Sequence, residues 1–265
     1  MSSLTTLLFD VDGTLADTEE IHRQSFNKSF EQAGLDWHWS QQLYAELLAV
    51  TGGKERIRHF LATHLPDFEA PMNMDEYIAG LHAAKTDIYT KTMASGEMDM
   101  RLGVKRLINE ARKAGLRLGI ATTTTPANVT ALLKHNLAPD AESWFEVIAA
   151  GSVVPAKKPA PDIYFYAMEQ MGVSPEECLA FEDSENGLRA ARDAGLETLI
   201  VVSQYTRDHV FEEAALVIDE WGEPDSPFRV ISGDAGDYRY VTVEFLRDLH
   251  ARVVLKDRER DCKTP

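Results

Sequence analysis

Short, continuous apolar runs recur along the chain at Leu7-Leu8-Phe9, Leu116 to Ala121, Phe145 to Ala149, Cys178 to Phe181 and Thr198 to Val202. Each is too short for a helix and shows no polar alternation, which predicts strands buried on both faces. Between them, apolar residues return every three or four positions: Val104, Leu107, Ile108 and Ala111, then Ile163, Tyr166, Ala167 and Met171, then Leu188, Ala191 and Ala194. That spacing draws one face of a helix. Gly115, Gly172 and Gly195 follow these stretches, where a left-handed C-cap is wanted. Strands alternating with helices predict an α/β fold, a parallel sheet with helices on both faces.

One region breaks the alternation. From Glu19 to about Met93 helical periodicity follows helical periodicity, through Ile21, Phe26 and Phe30, then Tyr44, Leu47 and Leu48, then Ile57, Phe60 and Leu61, then Tyr77, Leu81, Ala84 and Ile88. This predicts an all-helical domain over 17–95, inserted into a core made of 1–16 and 96–265, with linkers near Ala16–Thr18 and Ser95–Leu102. Beyond Trp221 the pattern is weaker. A helix over Val243 to Val253 is expected, and Lys256 to Pro265 reads as a solvated or disordered tail.

Charge narrows the partners. With 27 Lys and Arg against 43 Asp and Glu the formal net charge is −16, which argues against a nucleic-acid surface. No apolar run reaches the roughly 18 residues that a membrane span needs, and the first residues lack the basic, apolar pattern of a signal peptide. The expectation is a cytoplasmic monomer whose partner is a small molecule. Cys178 and Cys262 have no CxxC or histidine at ligand spacing and read as free thiols.

In an open parallel sheet, groups that act on a ligand collect beyond the carboxyl ends of the strands. There the sequence places Asp10-Val11-Asp12-Gly13-Thr14, then Thr122 to Thr125, then Lys157-Lys158-Pro159, then Glu182-Asp183-Ser184. Asp10 and Asp183, with Glu182, form a hard oxygen set suited to magnesium and, through it, to a phosphate. A threonine hydroxyl and a lysine ammonium would complete the cradle. Asp10 and Asp12, two apart at a strand end, leave the sheet in nearly the same direction, so one can attack phosphorus while the other moves a proton.

The run Phe9-Asp10-Val11-Asp12-Gly13-Thr14-Leu15 resembles the first motif of the haloacid-dehalogenase (HAD) superfamily; Thr122, Lys158 and Glu182-Asp183 resemble its second, third and fourth. The resemblance spans residues 7 to about 219. It implies a Rossmannoid core with a helical C1-type cap, Asp10 as nucleophile, Asp12 as general acid/base, Thr122 and Lys158 as catalytic partners, and Mg²⁺ held by Asp10, Asp12, Glu182 and Asp183. Within the insertion, Asp17 to His22 and Thr51-Gly52-Gly53-Lys54-Glu55-Arg56-Ile57 are similar to the CbbY group, phosphatases of the Rubisco inhibitor xylulose-1,5-bisphosphate. On that likeness Glu19, His22, Gly52, Gly53, Lys54, Glu55, Arg56, Thr123, Thr124 and Thr125 would touch substrate. β-Phosphoglucomutase and other sugar-phosphate phosphatases share the core motifs, and a regulatory module without chemistry would be expected to have lost Asp10.

Chemistry alone also asks for a cap site. A bisphosphate carries a second dianion that one metal cannot hold, and Gly52-Gly53 opening a helix beside Lys54 and Arg56 offers amides and cations. Plainer roles are available as well. Thr125 before Pro126 fits an N-cap, and so does Asp183 or Ser184 before the helix that follows. Trp37, Trp39 and Tyr44 fit packing, and the remaining histidines show no metal spacing.

Overall fold

The computed structural model describes residues 3–71, 73–95 and 99–261, with side chains in the last helix described to 254. The expected strands form as β1 (Thr6–Phe9), β2 (Arg117–Thr122), β3 (Val147–Ala150), β4 (Cys178–Glu182) and β5 (Thr198–Val201). Two more extend the sheet, β6 (Leu216–Ile218) and β7 (Val230–Gly233). The order is β3-β2-β1-β4-β5-β6-β7, parallel throughout except for the antiparallel β7. The first motif therefore leaves the sheet from β1, between β2 and β4, and the segments after all three strands open on the same edge.

Alternation along β1 sends Leu7 and Phe9 to one face of the sheet and Leu8 to the other. The first face is packed by α5 (Val104–Lys113), α6 (Pro126–Leu132) and α9 (Val243–Asp261), the second by α7 (Asp162–Met171) and α8 (Glu185–Asp193). Gly115, Gly172 and Gly195 do take positive φ just past their helices. Four helices precede these in the chain: α1 (Glu19–Gln32), α2 (Gln41–Leu47), α3 (Gly53–His64) and α4 (Met74–Ala94). They close on an apolar cluster of their own around Phe26, Phe30, Trp39, Tyr44 and Phe60, with the Phe26 and Trp39 rings 4.7 Å apart. α4 serves both clusters, since Ile78 and Leu81 lie in this one while Tyr89 and Met93 lie in the main core.

The region after β5 differs from the sequence reading. β6 has only three residues and β7 is exposed along its whole length, so neither carries a periodic signature. α9 runs on to Asp261, so 256–261 are helical and not an irregular tail; 262–265, with Cys262, lie outside the described residues. Cys178 is buried and free. Among the described residues no helix is long and apolar enough to cross a membrane.

Candidate active site

β1 runs directly into Asp10, whose N–H donates to the Phe181 carbonyl in β4, so the Asp10 and Glu182 side chains leave adjacent strands at one level. Asp183 follows and lies over Gly13, where a Cβ would come within 2.0 Å of its Oδ2. Only glycine, here at φ 79°, leaves that seat open. Lys158 reaches in from the loop before α7, and its Nζ donates to Asp10 Oδ1 at 2.7 Å, to Glu182 Oε1 at 2.5 Å and to the Ala121 carbonyl at 2.8 Å. The Tyr164 hydroxyl donates to the same Glu182 oxygen at 2.5 Å. Thr122, buried at the end of β2, accepts from the Thr124 N–H at 3.3 Å.

Carboxylate oxygens of Asp10, Glu182 and Asp183 all lie within 4.8 Å of one another, and all three side chains are buried. Three acids and one ammonium leave two negative charges unbalanced. Burial, with repulsion from Glu182 and Asp12, pushes Asp10 up to about 8 despite Lys158. Burial and the charges of Asp10 and Glu182 likewise raise Asp183. Burial works against the Lys158 ammonium, but Asp10 and Glu182 outweigh it and keep the lysine charged. Such a buried, oxygen-only, under-compensated cluster fits a small divalent cation such as magnesium.

The opposite wall of the site comes from the helical insertion. Asp12 faces it: Thr18 Oγ1 donates to Asp12 Oδ1 at 2.6 Å and His22 Nε2 lies 2.9 Å from the same oxygen. Burial would raise the Asp12 carboxyl, yet the charge and hydrogen bond of His22, the Thr18 hydroxyl and the Lys85 charge hold it well below the usual range. Behind His22, Lys85 Nζ sits 2.5 Å from Nδ1, over the Phe26 and Tyr89 rings. Arg56 donates to the Tyr44 hydroxyl at 2.9 Å, which donates to Glu19 at 2.7 Å. Gly52, at φ 97°, caps α3, and a Cβ on Gly53 would meet His82 at 2.5 Å. Lys54 points at the same space with no ion-pair partner among the described residues. Burial, helped by Lys85, Lys54 and Lys157, drives His82 down to about 4.

Between the two walls lies a cavity of about 710 Å³. Lys157 of the core donates to Glu55 of α3 at 3.1 Å, and Asn186 of α8 donates to the Ala49 carbonyl at 3.1 Å, so the two walls are tied across it.

Comparison with known proteins agrees with this geometry. The model of the haloacid dehalogenase-like hydrolases matches residues 4–195. The chain belongs to that family. The plasmid CbbY protein of Cupriavidus necator is 44% identical over 245 residues, which cover 92% of this chain and 96% of that one. CbbY of Rhodobacter capsulatus is 50% identical over 222 residues, covering 84% and 93%. The crystal structure of Rhodobacter sphaeroides CbbY in complex with phosphate superposes with a TM-score of 0.78 at 47% identity, covering 82% of this chain and 94% of that one. An Asp-to-Asn variant of that CbbY, solved with xylulose-(1,5)bisphosphate, superposes equally well.

As a haloacid dehalogenase-like phosphatase, the chain places the residues singled out from its sequence on one cavity, Glu55 excepted. Asp12, expected among the metal ligands, is absent from the acidic group because its carboxylate is turned to Thr18 and His22. Glu55, expected to touch substrate, is outside the lining and pairs with Lys157, which is part of it. Thr125 caps α6 through Oγ1, accepting from the Asn128 N–H, and Ser184 caps α8, and both also line the cavity together with Thr123 and Thr124. The sequence reading did not find Lys85, Lys157, Tyr164, His82 or His209. Lys157 has no signal of its own beside Lys158, whereas Lys85 is marked as a cation on the buried face of α4, in register with Leu81 and Ile88.

Lys85 is 4% exposed, and burial brings it from an ordinary 10.5 down to about 7. Between those two values the unfolded chain holds the proton and the folded one does not. The contribution of Lys85 to the stability of the ligand-free protein therefore rises with pH across that window, and its burial penalty is full below 7, whereas the raised Asp10 carboxyl works the other way up to about 8. Lys85→Met should remove that contribution and leave the others in place. Denaturant midpoints compared from pH 7 to 10 would show the wild type gaining on the variant; parallel curves would exclude Lys85 as the titrating group.

Proposed function

We propose that this phosphatase cleaves the 1-phosphate of xylulose-1,5-bisphosphate, giving xylulose 5-phosphate and phosphate, with Mg²⁺ as cofactor. The observation that carries the reading is a cavity with two unlike walls. The wall from the core holds the buried acids with Lys158, and the wall from the helical insertion brings Lys54 and Arg56, with Lys85 behind His22, beside the glycine pair that opens α3. A sugar carrying one phosphate at each end matches that distribution, and the CbbY relatives support the choice of sugar.

Asp10 attacks phosphorus, the bond from phosphorus to the sugar oxygen breaks, and an aspartyl-phosphate forms. Asp12 gives its proton to the departing oxygen and later takes one from the water that hydrolyses the intermediate. In the ligand-free site Asp12 is ionised; arrival of a phosphate dianion beside it raises its proton affinity and loads it for this role. Lys158 holds Asp10 in line and, with Thr122, donates to the phosphoryl oxygens. Asp10, Glu182 and Asp183 would hold Mg²⁺, which when bound offsets negative charge on the transferring group. The residues of 17–95 act as a cap that excludes water and selects the substrate, with Lys54 and Arg56 on the phosphate that is not cleaved and Glu19 and His22 beside the sugar.

The test is phosphate release from a panel of sugar mono- and bisphosphates, with magnesium and after chelation. Xylulose-1,5-bisphosphate should be preferred and chelation should stop turnover. Lys54→Ala should lower kcat/KM on the bisphosphate roughly tenfold to a hundredfold, the loss of one charge-assisted contact, and leave an aryl monophosphate nearly untouched. Equal losses on both would assign Lys54 to cap closure or folding. Interconversion of glucose phosphates without release of phosphate would overturn the phosphatase reading of the substrate.

A further inference from the structure

The loop that carries Asp10 and Asp12 is held from behind by two residues outside its own motif. Trp221 is fully buried, and its Nε1–H donates to the Thr14 carbonyl at 3.0 Å. Its ring lies 6.2 Å from Phe9 and 5.1 Å from Phe181, which are stacked on each other at 4.7 Å. Phe9 and Phe181 are the residues immediately before Asp10 and Glu182. Trp221 thus touches the ends of both strands that deliver the acids, and the turn between them and the cap.

Arg101, where the chain re-enters the core from the insertion, completes the hold. Its guanidinium donates to the carbonyls of Gly13 at 2.5 Å, Val201 at 3.1 Å, Val202 at 2.8 Å and Asp219 at 2.9 Å, and to Glu220 at 3.1 Å. Its own N–H donates to the Leu15 carbonyl at 2.9 Å. The carbonyls of Gly13, Thr14 and Leu15 are therefore each claimed in turn. A rigid fork suits this task, because several buried acceptors must be satisfied from one point.

This loop tolerates little displacement, because Asp183 is seated over Gly13 and a shift there moves all three acids relative to one another. The family match ends at residue 195, so 219–221 lies beyond it, yet it supplies Trp221 and two of the anchors of Arg101, Asp219 and Glu220. We propose that Trp221 and Arg101 are positioning residues for phosphoryl transfer, and that the segment around 219–221 is part of the catalytic apparatus. The inference rests on Asp10 as the reacting carboxylate but not on the choice of sugar. An aryl phosphate reads the loop alone, so a wrong substrate assignment leaves the test standing.

The experiment replaces Trp221 with 3-benzothienylalanine, which keeps the bicyclic shape and substitutes sulfur for the N–H. Trp221→Phe is the second variant, and Phe245→Leu is the control, a fully buried aromatic of α9 packed on Phe228 and Tyr238. Turnover of an aryl phosphate, KM and melting temperature are measured on each full-length protein. The isostere should lower kcat roughly tenfold, as for one lost hydrogen bond, with KM within about twofold and little change in melting temperature. Trp221→Phe should lower kcat at least as far. Phe245→Leu should lower the melting temperature and leave kcat in place. An unchanged kcat in the isostere, or a fall in Phe245→Leu as large as in Trp221→Phe at equal loss of melting temperature, would overturn the proposal.

Discussion

Replacement of Asp10 by Asn is expected to abolish phosphate release while leaving the fold intact. The two side chains have nearly the same size, and an Asn carbonyl oxygen can still accept from Lys158 Nζ, which lies 2.7 Å from Asp10 Oδ1. What is lost is the attacking oxygen. An amide nitrogen does not attack phosphorus and does not ligate a hard cation, so the variant has no route to the covalent intermediate. The expected loss is on the order of 10⁶-fold, the scale seen when a covalent nucleophile is removed. Burial already disfavours the Asp10 carboxylate, which titrates at about 8, so a neutral replacement should not lower the melting temperature of metal-free protein. Steady-state phosphate release and a thermal melt decide the point together. Turnover near the wild-type rate would remove Asp10 from the role of nucleophile.

Asp12→Asn should cost roughly 10²–10⁴-fold on a sugar phosphate, the usual range for a positioned acid or base. The variant keeps an oxygen for Thr18 Oγ1, which lies 2.6 Å away, and for His22 Nε2 at 2.9 Å, so the loop and the first turn of α1 should hold their places. Only the exchangeable carboxyl proton disappears. A sugar alkoxide leaves poorly and needs that proton, whereas a nitrophenolate leaves without it. The rate of the first step should therefore fall much less with the aryl phosphate, and the following hydrolysis should become slow enough for a burst of nitrophenol to appear. If both leaving groups were slowed alike in the burst phase, protonation of the leaving oxygen would be the wrong role for Asp12.

Much of this site was legible in the sequence because its signals are local. β1, β2, β4 and β5 are buried along their length, so their apolar runs mark them without reference to any partner. The residue after such a run must sit at a sheet edge, which placed Asp10, Thr122 and Asp183 on one side of the molecule. Pro126 after Thr125 announced the cap of α6, and the glycines after the helices announced their ends. Of the two adjacent lysines the family resemblance pointed to Lys158, and that is the one among the acids.

Other features depended on segments that meet only when the chain is folded. β6 and β7 are too short or too exposed to show a period, and they exist because β5 offers an edge to β6 and β6 offers one to β7. The direction of the Asp12 carboxylate was decided by His22, and the position of His22 by Lys85, which is 63 residues further along. Glu55 carries the same charge as Glu19, but it is paired with a lysine 102 residues away. Trp221 reaches Thr14 across 207 residues, and Arg101 reaches Gly13 across 88. By itself, then, the sequence determined the strands, the helix ends and the chemical groups at the strand edge, since these follow from burial period and turn conformation within a few residues. Only the tertiary structure decided which way those groups point and what holds them there, because buried hydrogen bonds and desolvated charges are matched between partners whose distance along the chain carries no pattern.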